Sequence, residues 1–120
     1  MNNNISNADI QVMEDYLKRV RPQDPEVLEQ LDIVYLLERN AFIICERRVN
    51  WMWMMDKSEP KTYHNIPCAK IHYQKTQNRY KIYWKRASGK WQHYDPYPFA
   101  QSLQEALDIV EGDAYGCFWG

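Results

Sequence analysis

The stretch from Cys68 to Tyr94 combines a high density of basic residues with a complete lack of acidic ones. Aromatic residues alternate with the charges at the two-residue spacing that is typical of β-strands. This pattern predicts a short antiparallel sheet with one apolar face and one basic, partly aromatic face. The seven basic residues are Lys70, Lys75, Arg79, Lys81, Lys85, Arg86 and Lys90.

The first hairpin of this sheet is predicted from a turn at residues 77–78. In an antiparallel pair, opposed residues share a face, so the turn fixes the register. This turn would oppose Ile71 to Trp84 on the apolar face and Lys70 to Lys85 on the basic face. A slip of one residue would mix apolar with charged side chains, which favours the chosen register.

A second turn is predicted near residues 87–89. It would oppose Trp84 to Trp91 on the apolar face and Lys81 to Tyr94 on the basic face. Opposed lysines repel each other, which mildly disfavours such a sheet unless the charges have a use. The predicted core residues of the three strands are Ile71, Ile82, Trp84 and Trp91.

Helices are predicted at both ends of the chain. Ser6 begins an apolar helical stripe over about residues 8–20, and Ser102 with Glu105 forms a capping box before residues 103–111. A short helical turn is expected after Asp24, where a proline occupies the first helical position. The aromatic tail, residues 114–120, is expected to dock on the body of the protein.

A further hairpin is predicted between residues 33–37 and 41–45. Pairing around Arg39 and Asn40 opposes Leu37 to Phe42, and Tyr35 to Ile44. The second strand is expected to continue towards residue 51, and residues 56–67 to form a polar loop. The chain, residues 1–120, therefore predicts one α+β domain of about five mostly antiparallel strands, with N-terminal and C-terminal helices packed on one face.

Cysteine usage and hydropathy limit the cellular setting. Three cysteines without regular spacing do not form a disulfide framework, and residues 1–9 lack the features of a secretory signal. The longest apolar runs are far shorter than the roughly 20 residues of a membrane-spanning helix. We therefore expect a cytoplasmic protein with free thiols, no membrane partner and no cofactor.

Several short motifs, in their order, resemble a known family. They are Pro67 to Lys70, Arg79 to Trp84, Lys90 to Tyr94, the turn from Pro96 to Pro98, and Tyr115 to Gly120. This set resembles the small bacterial family catalogued as domain of unknown function 3024, mainly over residues 66–120. The resemblance implies kinship and a bacterial source but brings no activity with it. Trp119 stands where the family pattern leads us to expect phenylalanine.

The basic sheet face is the leading candidate for a nucleic-acid or polyanion site. Cationic side chains attract phosphates, and exposed rings can stack on bases. The alternative is a solvated face, because lysine stems cover the open side of a sheet well. The candidate binding residues are Lys70, Arg79, Lys81, Tyr83, Lys85, Lys90 and Tyr94.

Residues 51–55, Trp-Met-Trp-Met-Met, are the candidate protein contact. Large rings and adaptable thioethers are enriched at binding surfaces, although burial in a core or a dimer is a common alternative. Exposure of Trp51 and Trp53 would favour a protein partner or a homodimer. The leading hypothesis is therefore a non-enzymatic binding or adaptor module.

Catalytic and metal motifs are weak. Asp32 with Glu46 and the arginines after it loosely matches the acidic pattern of metal-dependent nucleases, which is the enzyme alternative. Cys68 and His72 share a strand face, but their spacing matches no zinc motif. Cys117 could act as a nucleophile only if the fold brought a histidine to it. The sequence predicts no catalytic residue and no metal ligand.

Overall fold

A computed structural model describes residues 5–119, so Gly120 of the tail motif lies outside the described residues. The helices are α1 (Asn7–Val20), α2 (Pro25–Gln30), α3 (Trp51–Met55) and α4 (Leu103–Gly112). The strands are β1 (Leu31–Glu38), β2 (Ala41–Val49), β3 (Tyr63–Gln74), β4 (Arg79–Lys85), β5 (Trp91–His93) and β6 (Phe99–Ala100). The predicted terminal helices and the short helix after Asp24 are confirmed.

The strands form one antiparallel sheet in the order β1-β2-β3-β4-β5, and β6 also pairs with β4. All pairings between strands are antiparallel. The fold class is therefore α+β, as predicted, with six strands among the described residues where about five were expected. Within residues 5–119, no helix has the length and apolar character needed to cross a membrane.

The main core lies between one face of the sheet, called here the inner face, and helices α1 and α4. Met13 of α1 and Leu107 of α4 are fully buried in the same cluster as Ile71 and Ile82 of the sheet. Burial of each such side chain contributes about 1.5–3 kcal/mol relative to exposure. The terminal helices therefore cover one face, as predicted.

The helix ends follow from their capping residues. The Ser6 hydroxyl accepts from the Asp9 backbone N–H at 3.1 Å, and the Ser102 hydroxyl accepts from the Glu105 N–H at 3.1 Å. The Asp24 carboxylate does the same for Glu26 at the start of α2. Each cap satisfies a backbone donor that the helix itself leaves unpaired.

The aromatic tail docks on the body through Asp113. This residue ends α4 in a left-handed conformation with φ of 41°. Its carboxylate accepts from the backbone N–H groups of Phe118 at 3.0 Å and Trp119 at 2.9 Å. The Phe118 ring is buried, and its centre lies 4.7 Å from the centre of the Tyr94 ring. The predicted docking of the tail is therefore confirmed for the described residues.

Two of the three predicted hairpin registers keep the predicted faces. In the first hairpin, Leu37 opposes Phe42 and Tyr35 opposes Ile44, as predicted. Between β3 and β4, Ile71 opposes Ile82 instead of Trp84, because the turn spans four residues, 75–78, rather than two. A shift of two positions along the strand pair leaves every side chain on its predicted face.

The third register, between β4 and β5, is shifted by one residue, and the prediction was wrong. Lys85 opposes Trp91, and Tyr83 opposes His93. The predicted pairing of Trp84 with Trp91 leaves a two-residue turn, whereas the loop has three residues, 87–89. Its last residue, Gly89, has φ of 87°, a conformation that suits glycine. An odd shift exchanges the two faces of β5.

The β2–β3 hairpin extends beyond β4 and carries α3 at its tip. As predicted, β2 continues towards residue 51 and ends at Val49. The chain turns helical at Trp51, and β3 begins at Tyr63, inside the predicted loop. The Asn50 N–H donates to the Thr62 carbonyl at 2.8 Å, and the Asn50 side chain accepts from the Thr62 N–H, which closes the base of this segment. The expectation of a polar loop over residues 56–67 is therefore wrong for its last five residues.

Candidate functional site

The face of the sheet opposite α1 and α4, called here the outer face, is basic and aromatic across β3 to β6. Along each strand, the side chains on this part of the outer face alternate with side chains that point into the core. We call these outer-face side chains of β3 to β6 the basic face. Its members are Lys70, His72, Arg79, Lys81, Tyr83, Lys85, Trp91, His93 and Phe99.

Cations and rings are interleaved across the strands of the basic face. Lys70 opposes Tyr83, and Tyr83 opposes His93 across the next strand pair. Lys85 opposes Trp91 in the adjoining row. The predicted opposition of Lys70 to Lys85 is wrong, so repulsion between directly opposed lysines does not arise there.

Several cations lie close to rings of the basic face. The Lys85 Nζ is 5.1 Å from the centre of the Trp91 ring, and the Lys81 Nζ is 5.5 Å from that of Tyr83. The Arg79 guanidinium carbon is 3.6 Å from the centre of the Phe99 ring. Such contacts stabilise exposed cations by about 0.5–1 kcal/mol and leave their charge unneutralised.

Few carboxylates neutralise the basic face. The Lys70 Nζ lies 4.0 Å from the Glu38 carboxylate, at the limit of an ion pair. Among residues 5–119, no ion pair involves Lys81, Lys85 or Arg79. Because these cations share one face and lack carboxylate partners among the described residues, the face carries a concentrated positive field although the chain as a whole has a net charge of -1.

The imidazole of His72 responds to this field. Its pKa lies below the usual 6.5, because partial burial and then the charges of Lys70 and Lys81 disfavour the protonated form. Both lysines are its close neighbours, since Lys81 opposes it directly and Lys70 lies two residues away on the same strand. An anion bound here would favour the protonated imidazole.

Five of the seven predicted binding residues lie together on the basic face: Lys70, Arg79, Lys81, Tyr83 and Lys85. The other two do not, because of the one-residue shift of β5. Tyr94 is 1% exposed and belongs to the core, so its predicted solvent exposure is wrong. Lys90 is exposed, but it precedes Trp91 and so lies off the basic face. Trp91 was predicted to be a core residue, but it lies on the basic face and is partly exposed.

Sequence reasoning missed three aromatic members of the basic face: Trp91, His93 and Phe99. A signal for the first two was present in the Ala87-Ser88-Gly89 loop. A three-residue hairpin loop often places glycine last, in the left-handed conformation. That loop type sets the register now observed, with Trp91 opposite Lys85. Phe99 lies on a two-residue strand, too short for a periodic signal.

The two tryptophans of the proposed protein contact are placed differently. Trp51 is 71% exposed, whereas Trp53 is only 9% exposed. The Lys57 and Lys61 amino groups lie 3.6 and 4.4 Å from the centre of the Trp53 ring. The exposed apolar surface of α3 therefore consists of Trp51, Met52, Met54 and Met55. The exposure that would favour a protein partner is found for Trp51 but not for Trp53.

The carboxylates of the nuclease alternative diverge. Asp32 opposes Arg47 while Glu46 opposes Ile33, so the two carboxylates occupy opposite faces of the β1–β2 pair. Each is also engaged by an arginine: Arg21 reaches Asp32 at 2.6 Å, and Arg48 reaches Glu46 at 2.9 Å. Shared coordination of one metal ion by these two groups does not fit this arrangement.

The cysteines are poor nucleophiles in this structure. Burial raises the pKa of Cys68 to about 11 and, more modestly, the pKa of Cys45. Burial also raises the pKa of Cys117, which lies in the docked tail and packs against the core. A raised pKa lowers the fraction of reactive thiolate near neutral pH.

Comparison with known proteins identifies a family but no characterised relative. No curated protein and no solved structure matches the chain. The family described as domain of unknown function DUF3024 matches over residues 1–120, well beyond the segment that carries the motifs. Since the match spans the whole chain, this protein is a member of the DUF3024 family.

Proposed function

We propose that this protein is a non-enzymatic binding module whose basic face takes single-stranded nucleic acid. The observation that supports this most directly is the alternation of unpaired cations with partly exposed rings along β4 and its neighbours. Cations neutralise phosphates, and rings stack on bases without regard to sequence. A site that needs only these two contacts requires no catalytic group.

Phosphate contacts fall to the cations that lack carboxylate partners. Arg79, Lys81 and Lys85 lie along β4 on a single face. Alternate residues of a strand are about 6.6–6.8 Å apart, so Arg79 and Lys81 are one such step apart, and Lys85 lies two steps further on, beyond Tyr83. Lys70, on the neighbouring strand, adds a fourth cation beside this row.

Stacking falls to Tyr83, Trp91, His93 and Phe99. They lie on strands of a sheet rather than on a helix that could enter a major groove. Rings on a sheet surface reach base faces only when the bases are unstacked, which favours single strands over duplexes. Sequence preference is expected to be weak.

The test is binding of labelled single-stranded oligonucleotides to the double variant Lys81→Glu/Lys85→Glu. We expect binding to be lost, and the wild-type affinity to fall steeply with salt. For each phosphate contact removed by a milder alanine variant, the slope of log K against log salt should decrease by about 0.7. Fluorescence anisotropy across a salt series measures both effects.

The matched control is Lys18→Glu/Arg39→Glu, which changes net charge equally at two exposed positions off the basic face. It should retain most of the wild-type affinity. Equal losses in the two double variants, binding insensitive to salt, or no binding to any single strand would contradict the proposal. Stronger binding to a duplex than to a single strand of the same sequence would contradict its choice of ligand.

The exposed surface of α3 favours a second candidate function, contact with a protein partner. Met55 is 79% exposed and Trp51 71%, and apolar surface of this kind is uncommon outside interaction sites. A photo-crosslinking residue at position 51 should give one defined adduct with another protein in a native lysate, and the same residue at Lys18 should not. Diffuse labelling at both positions would contradict this function.

A further inference from the structure

The free edge of β1 is only half closed. β1 is the first strand of the sheet and pairs on one side alone. The two-residue turn at its end makes Glu38 and Ala41 a hydrogen-bonded pair, so the backbone groups of the odd-numbered residues point away from β2. These outward groups belong to Leu31, Ile33, Tyr35 and Leu37.

The first half of this edge is occupied from within the chain. The Leu31 N–H donates to the Val27 carbonyl at the end of α2. The Ile33 N–H donates to the Asp32 carboxylate at 2.8 Å, and two bonds from Arg21, at 2.6 and 3.0 Å, hold that carboxylate. A strand arriving at the edge cannot use these donors without breaking those contacts.

The second half of the edge is open and apolar. Leu36 and Leu37 are 44% and 43% exposed, one on each face of the sheet. Residues 34–37 contain no lysine, proline or bulge, which are the features that usually protect a free edge from pairing. Tyr35 and Leu37 therefore offer backbone groups to a second strand.

We propose that this open edge pairs with the same edge of a second copy, about a two-fold axis at Leu36. Leu36 then opposes Leu36 of the second copy, and Tyr35 opposes its Leu37. Each of the two Tyr35–Leu37 pairs exchanges two backbone hydrogen bonds through the groups that are open, whereas the Leu36 pair on the axis exchanges none. Both exposed leucines gain apolar neighbours, and Glu38 opposes Val34.

The neighbouring registers are worse for identifiable reasons. With Tyr35 opposite itself, Glu38 would face Asp32, and the pairing would need the Ile33 N–H that Asp32 already occupies. With Val34 opposite itself, Leu31 and Ile33 would both have to pair, and the first of these is bonded to α2. A shift by one residue would put core-facing side chains opposite outer-face ones. Among these registers, the Leu36 register is the one that uses only open groups.

A second copy is the occupant that this edge fits, because the register matches the edge to itself in both hydrogen bonds and apolar side chains. The axis is perpendicular to the sheet, so both basic faces would lie on the same side of one continuous sheet. This inference does not depend on the proposed function. It would hold for a dimer that binds no nucleic acid.

The first test is the oligomeric state of the full chain by sedimentation equilibrium. We expect a reversible dimer, and Leu36→Lys should weaken it on the order of tenfold or more, because two like charges meet on the axis and an apolar contact is lost. The control is Val27→Lys, at an equally exposed apolar position on α2, 44% exposed. It should leave the dimer unchanged.

The second test fixes the register even if Leu36→Lys fails to fold. In a Cys117→Ser background, Leu36→Cys should form an intermolecular disulfide on mild oxidation. The opposed Cα atoms would be about 4.5 Å apart in a non-hydrogen-bonded pair, within the range of a disulfide. Leu37→Cys should not cross-link, because its two copies would be diagonal neighbours, about 7–8 Å apart.

Three outcomes would overturn the proposal. The first is a chain that stays monomeric at every concentration. The second is a dimer that Val27→Lys disrupts and Leu36→Lys does not, which would place the contact at α2 instead of the β1 edge. The third is equal cross-linking through residues 36 and 37, which would exclude the Leu36 register.

Discussion

The two faces of the β3–β4 pair differ in almost everything except their backbone. On the inner face, Ile71 opposes Ile82, and both are fully buried beneath α1 and α4. One residue along, His72 opposes Lys81 on the basic face, and both remain partly exposed. The same ladder of hydrogen bonds therefore supports a packed core and a charged surface.

This difference separates stability from binding at the level of single residues. A substitution on the inner face removes contacts with two helices, whereas one on the basic face changes charge and little packing. Neighbouring residues of β4 thus report on different properties. They can be tested in pairs that differ by one position in the chain.

The largest expected effect is on folding. Ile82→Ala should lower the free energy of unfolding by about 2–5 kcal/mol, because it leaves a cavity in a fully buried site. Lys81→Ala, one residue away, should cost about 0.5 kcal/mol or less. Chemical denaturation followed by tryptophan fluorescence measures both. Similar losses in the two variants would mean that the basic face is packed rather than open.

How much of this contrast can be predicted from sequence depends on the turns. The two-residue turn at Arg39 and Asn40 was identified correctly, and the register of its hairpin followed. The four-residue turn before Arg79 moved the register by two, which preserves faces, so Lys70 and Lys81 were still assigned correctly. Turn length is poorly determined by polar residues such as Thr76 and Gln77, because several turn types accept them.

The three-residue loop before Lys90 had the opposite consequence. One added residue moved Tyr94 into the core and Trp91 onto the basic face. Both residues are large and amphipathic, so neither side chain by itself resists the exchange. Packing decided between them, because the Tyr94 ring meets Phe118 of the docked tail, a contact between distant parts of the chain.

The tip of the β2–β3 hairpin could not be predicted for a related reason. Residues 51–55 are a short apolar run, which periodicity cannot assign to a strand or a helix. The helical turn there is stabilised by residues outside it: Asn50 and Thr62 form hydrogen bonds at its base, and Lys57 and Lys61 lie over the Trp53 ring. Exposure of Trp51 beside a buried Trp53 follows from that turn.

The smallest effect concerns His72, which reports the field of the basic face. Its pKa is lowered in the folded protein, so below about pH 6.5 the unfolded chain binds more protons than the folded one. The free energy of unfolding should therefore fall as the pH drops through this window, and His72→Gln should remove that part of the decrease.

Lys70→Ala/Lys81→Ala should raise the pKa of His72 in an NMR titration, and a bound oligonucleotide should raise it further. A pKa unchanged by both would mean that burial alone sets it and that the basic face exerts no appreciable field at this site.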